Sequence, residues 1–180
     1  RIGDSAFASC TELATIDLPS YTTAIGASAF ANCVLTSFTV PEKVTVIGKA
    51  AFYKCVNLEE VTFKCDGALT IGKDATNIST GAFSGCVALK SITIPKSVTT
   101  IGSSAFAMSE SATATTLGPG LLDTVTFELG GTAGLTINTS AFAHLPNLKT
   151  ITFPARLTKL VATAQKPDST ANGTYHSAFS

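Results

Sequence analysis

The side chains of this 180-residue chain best suited to chemistry are five cysteines, two histidines and twelve acids. Cys10, Cys33, Cys55 and Cys86 each sit three residues after a phenylalanine. Zinc sites need close pairs such as C-x-x-C, and none exists here. A spacing of one whole structural unit instead stacks the thiols in a column. Neighbours in a column lie about 4.8 Å apart with parallel side-chain directions, whereas a disulfide needs Cβ atoms about 3.8 Å apart on converging vectors. The column therefore reads as a buried ladder of small apolar groups. Cys65, in "FKCDG", lies past a strand end and is expected in a turn, with a free or partly exposed thiol. His144 and His176 have no acidic or nucleophilic partner at an interpretable spacing and read as surface or edge residues. Glu59 and Glu60, adjacent on a strand, should face opposite sides and not act together. No G-x-S-x-G, H-E-x-x-H or phosphate-cradling glycine loop is present. Gly-Pro-Gly at 118–120 and Gly-Gly at 130–131 are turn signals. The expectation is no catalytic, cofactor-binding or metal-binding residue, hence no enzyme. Asn77, Asn138 and Asn172 begin N-x-S/T sequences, which chance easily produces in a Ser/Thr-rich chain.

The elements behind that column are repeats. Ala-Phe recurs with its ring at Phe7, Phe30, Phe52, Phe83, Phe106, Phe142 and Phe179. The gaps are 23, 22, 31, 23, 36 and 37 residues, the longer ones being one repeat plus an insertion. The best unit reads AF-x-x-C-x-x-L-x-x-I-x-L-P-x-x-V-T-x-I-G, shown in full by "AFSGCVALKSITIPKSVTTIGSS" at 82–104. L-x-x-I-x-L alternates apolar and polar residues, the period of a half-buried strand. Ile16/Leu18, Phe38/Val40, Val61/Phe63, Ile92/Ile94, Val125/Phe127 and Ile151/Phe153 should point inward. Pro19, Pro41, Pro95 and Pro154 end their strands, because proline has no donor for a ladder. Where Pro is missing, after Phe63 and Phe127, longer strands are expected. A second apolar stretch such as "VTVIG" follows, and its glycine permits a tight turn. One short helical turn then carries Ala-Phe, with Ser5, Ser28 and Ser104 placed to cap it. No unit can bury its apolar face alone, so stacked units should form one parallel sheet.

These residues resemble the BspA-like, or Treponema-type, leucine-rich repeat. The resemblance covers nearly the whole chain, weakening in the insertions and after Pro154. It departs at "AFAMSES" and "AFAHLPN", where the cysteine is absent. What it implies is an α/β solenoid: a right-handed leucine-rich-repeat superhelix, a parallel β-sheet on the concave face, and short strands and helical turns opposite. It also implies surface or secreted proteins of bacteria and some parasitic protists, often adhesins. It carries over no catalytic residue and no cofactor. The chain then reads as one solenoid over 1–180, about six repeats with partial ends, a fragment of a longer protein.

The outward strand positions are Thr15, Asp17, Ser37, Thr39, Glu60, Thr62, Ser91, Thr93, Thr124, Thr126, Thr150 and Thr152. In register they form two hydroxyl-rich columns, the candidate ligand-binding face; threonine is also simply the favoured polar residue of an exposed strand. Insertions at 64–80, 109–120, 128–136 and 162–177 could carry recognition too. Charged residues make up 13% and net charge is zero, so nothing favours nucleic acid or an anionic membrane. No apolar run approaches the roughly 18 residues that span a bilayer. The expected function is an extracellular or cell-surface adhesion module with a protein or glycan ligand. The alternative is a structural subunit that self-associates end to end through its exposed sheet edges. Ice binding by the T-x-T strands is disfavoured by sheet curvature and by Asp17 and Glu60 in the columns.

Overall fold

The computed structural model describes residues 1–77, 80–108 and 120–161. Each L-x-x-I-x-L segment from the second coil onward becomes a strand: β2 (Ser37–Val40), β4 (Glu60–Phe63), β6 (Ser91–Ile94), β8 (Thr124–Phe127) and β10 (Thr150–Thr152). The second apolar stretch of each coil is also a strand: β1 (Ala24–Ile25), β3 (Val46–Gly48), β5 (Leu69–Lys73), β7 (Val98–Ile101), β9 (Leu135–Ile137) and β11 (Leu157–Leu160). All pairings are parallel, between equivalent strands of successive coils. This is a solenoid of the leucine-rich-repeat kind.

The single sheet expected from the L-x-x-I-x-L segments does not form. The continuous sheet is the six-stranded β1-β3-β5-β7-β9-β11, built from the other stretch. The L-x-x-I-x-L strands divide into β2-β4 and β6-β8-β10. In the first coil the segment around Ile16 and Leu18 forms no strand, although both side chains are half-buried. β4 and β8 are four residues long, like β2 and β6, so losing proline did not extend them. The corner from β4 to β5 is five residues, 64–68, the same as the 41–45 corner that keeps its proline and longer than the three between β6 and β7. The 64–80 span thus contains a whole repeat strand, β5, and 128–136 contains the start of β9. The spans 109–119 and 162–177 lie outside the described residues, as does Phe179.

The Ala-Phe segments are turns, and the described residues include no α-helix. Ser5, Ser28 and Ser104 sit at φ of 54°, 54° and 53°, in the left-handed region. A helix N-cap needs an extended backbone, so these serines do not cap helices. Their turns alternate handedness instead: Ser9 and Asn32, four residues after Ser5 and Ser28, also have positive φ, as does Lys54 four residues after Ala50. That alternation aims every second amide at the next coil. Ser28, Phe30 and Asn32 donate to the carbonyls of Lys49, Ala51 and Tyr53 at 2.8–2.9 Å. A third ladder therefore runs down the stack where no sheet exists, and it satisfies backbone groups that would otherwise be buried unpaired.

Inside these three ladders lie the repeat phenylalanines. Phe30, Phe52, Phe83, Phe106 and Phe142 are fully buried. From Phe7 to Phe142 consecutive rings stack with centroids 4.8–5.4 Å apart and planes within 15°. The 31-residue gap before Phe83 does not disturb the column, because its extra residues leave the coil on either side of β5. The repeat glycines serve close approach more than turn geometry. A Cβ on Gly48 would lie 2.7 Å from the Ala27 nitrogen, and one on Gly102 would lie 2.2 Å from the Gly72 oxygen. A Cβ on Gly3 would meet nothing within 4 Å.

Candidate binding face

The thiol column exists and does more than fill space. Cys33, Cys55 and Cys86 donate S–H to the carbonyls of Phe7, Phe30 and Phe52 in the preceding coil, at 3.0–3.1 Å. Each of those carbonyls also accepts the amide of its own coil's cysteine, or, for Phe7, of Cys10. The thiol thus takes the second lone pair of a buried oxygen. Burial pushes the Cys55 thiol up to about 12 and drives Cys86 upward as well. Cys10, at the end of the column, is exposed. Cys65 is a free thiol in the corner after β4, as expected, but it is buried and not partly exposed. It is 7% exposed, donates to the Pro41 carbonyl at 3.3 Å, and is raised to about 11 by burial. It plugs that corner.

His144 occupies a left-handed turn position, φ 55°, equivalent to Asn32 and Lys54, and is half-buried. Asn138 is anchored, its amide donating to the Ile101 carbonyl at 3.1 Å. His176 and Asn172 lie outside the described residues. Among the described residues, no three His, Cys, Asp or Glu side chains come together as a metal site.

The outward positions lie where the alternation puts them. Thr15, Asp17, Ser37, Thr39, Glu60, Thr62, Ser91, Thr93, Thr126, Thr150 and Thr152 are exposed and Thr124 half-exposed. Register brings them into rows: Ser37 beside Glu60 and Thr39 beside Thr62 in one sheet. In the other, Ser91, Thr124 and Thr150 align, as do Thr93, Thr126 and Thr152. The result is a two-by-three hydroxyl lattice on β6-β8-β10. Asp123 closes its edge, accepting Thr124 Oγ at 2.8 Å and Lys149 Nζ at 3.2 Å. Those two hydrogen bonds, Thr124 first, hold the exposed carboxyl below its ordinary pKa.

The two sheets of this face are not continuous, and alternation alone did not reveal that. Between β4 and β6 lies a groove of about 520 Å³. Glu60, Thr62 and Phe63 form one wall, and Ser91, Thr93 and Pro95 the other. Glu59 and Lys90 stand in it as an ion pair at 3.7 Å, and Glu128 reaches it from the next coil. Glu59 and Glu60 therefore line the same groove, contrary to the expectation from strict alternation: Glu59 precedes the strand and is not bound by its period. Irregular pairing lies opposite the break. The pairing of β5 shifts register against both β3 and β7. Such bulges add local twist. β4 and β6 share no ladder beside these shifts. Phe63 lacks the following proline, but so does Phe127, whose strand pairs on both sides, so the sequence carried no signal for the break.

Six copies of the BspA type leucine rich repeat region match this chain, over residues 1–75 and 67–166. The chain belongs to the BspA-type leucine-rich repeat family. No curated protein matches it. Among solved structures, it is similar to a leucine rich cell surface protein from Faecalibacterium prausnitzii A2-165, at 26% identity and a TM-score of 0.44. That similarity covers 88% of this chain and 46% of the other. It is also similar to a leucine-rich repeat protein from Bacteroides ovatus ATCC 8483, at 22% identity and a TM-score of 0.36, covering 88% and 65%. The chain spans about half the length of the first protein and just under two thirds of the second. No helix among the described residues is long and apolar enough to cross a membrane.

Proposed function

We propose that this BspA-type chain is a protein-binding module presented at the cell surface or outside the cell, a rigid scaffold with no chemistry of its own. The observation that carries the reading is the broken face. Its twelve outward positions, ten of them on strands, are polar and none is tied into the core. A groove interrupts it where the repeat departs from regularity. Side chains held on paired strands are pre-positioned, which lowers the ordering cost of binding. The buried thiols suit an oxidising exterior, because a thiol kept protonated by burial is inert. In this reading the superhelix is right-handed and the broken face lies on its concave side.

The test is solid-phase binding of the purified chain to a panel of extracellular proteins, repeated with Thr126→Lys/Thr152→Lys on this face. Thr45→Lys on the other side of the coil serves as the control. The reading requires that the face variant lose binding while the control keeps it. A ligand held equally by both variants would move the site elsewhere and end the proposal.

A further inference from the structure

We infer that Arg156 is a clamp that fixes the spacing of the hydroxyl lattice, a positioning residue for the proposed binding face. The inference rests on the protein-binding reading above and assigns what holds that face in shape.

Three observations carry it. First, Arg156 reaches past its neighbouring coil. Strand pairing in the lattice joins only adjacent coils, β6 to β8 and β8 to β10. Arg156 lies in the corner after β10, yet its guanidinium donates to the carbonyls of Val98 at 2.6 Å and Pro95 at 3.2 Å, both in the coil of β6. The corners that follow the two outer strands are thereby tied together directly, across the coil of β8. Second, the middle coil makes way. Its corner, 128–134, is seven residues long, against three after β6 and four after β10. β9 pairs with β7 only at Thr100 and Ile101, which leaves Val98 outside that pairing. Gly131, in the same corner, lies against the clamp: a Cβ there would stand 2.8 Å from the Lys96 oxygen and 3.3 Å from Arg156 Cδ. Third, the arrangement is costly as a mere staple. Among the described residues no carboxylate forms an ion pair with Arg156. Its Nε is buried without a hydrogen-bond partner among them, and desolvation lowers its pKa. A guanidinium so placed loses hydration that carbonyls only partly replace. What it supplies is geometry, a rigid planar fork gripping two oxygens. Thr152 lies four residues before Arg156, and Thr93 two before Pro95, so the clamp acts beside the Thr93-Thr126-Thr152 row.

Nitroxides on Thr93→Cys/Thr152→Cys, in a Cys10→Ala background of the full chain, read the lattice width by spin–spin broadening. The parent should give one narrow separation, near two strand spacings, about 10 Å between backbones. Arg156→Gln, which lacks the fork, should broaden it. Arg156→Lys, able to reach only one carbonyl, should fall between. A second pair, Thr39→Cys/Thr62→Cys on the other sheet, should be indifferent to either change. An unchanged Thr93/Thr152 separation in Arg156→Gln would overturn the inference. So would equal broadening at both pairs, which marks general loosening. Unlabelled Arg156→Gln should hold any panel protein captured through Thr126 and Thr152 about two- to tenfold more weakly, the scale of reordering one or two side chains. Undiminished capture alongside a broadened lattice would overturn the clamp's role in binding. If the parent chain captures no panel protein, the binding reading fails by itself, and the label separation still decides the clamp.

Discussion

The two strand faces of this solenoid are made from the same coils, yet one is continuous over six strands and the other is broken. The difference shows where the repeat tolerates irregularity. On the continuous side, glycines press backbone against backbone, and the oxygen of Gly72 in β5 lies 2.2 Å from a Cβ placed on Gly102, just past the end of β7. Nothing bulky can enter there, and irregularity appears only as register shifts. On the broken side, outward residues meet solvent, so a missed ladder costs little and opens usable space. The column of rings and thiols between them belongs to the continuous side's logic: every layer must match its neighbour.

The sharpest way to break this comparison is to cut the column. Phe83→Ala should destabilise the chain by about 3–5 kcal/mol, the range for a large buried aromatic. Thr126→Ala on the broken face should stay within about 0.5 kcal/mol. Urea denaturation measures both, and similar losses would remove the distinction. Cys86→Ala should cost about 1–2 kcal/mol, from a lost buried hydrogen bond and a small cavity. Cys10→Ala, at the exposed end, should cost almost nothing. The remaining effect is in pH, and it grows with alkalinity. Cys55 and Cys65 are raised by burial to about 12 and about 11. Between the unfolded value of about 8.5 and those values, the folded chain holds more protons than the unfolded one, so stability falls as pH rises. It should be flat between neutrality and the unfolded value, then decline through the folded pKa values. A profile flat to pH 11 would contradict the burial of these thiols.

Much of the fold could be read from residue order, because a fault in one repeat is corrected by the next. The Phe column, the thiol column and the inward and outward alternation all follow from period and residue type. What was illegible depends on pairing between coils. That β4 does not pair with β6 is announced by no residue of either strand. The serine turns were misread because Ser before Ala-Phe signals a cap locally, while the ladder to the next coil demands a left-handed residue there. Cys65 was misread because Pro41, its partner, lies 24 residues away.

Native-state hydrogen exchange tests the broken face most directly. Strands β5, β7 and β8 are paired on both sides, whereas β4 and β6 are each paired on one. A subset of β4 and β6 amides should therefore exchange far faster than any amide within β5, β7 and β8. Uniform protection across all five strands would mean that the two sheets are joined and that no groove exists between them.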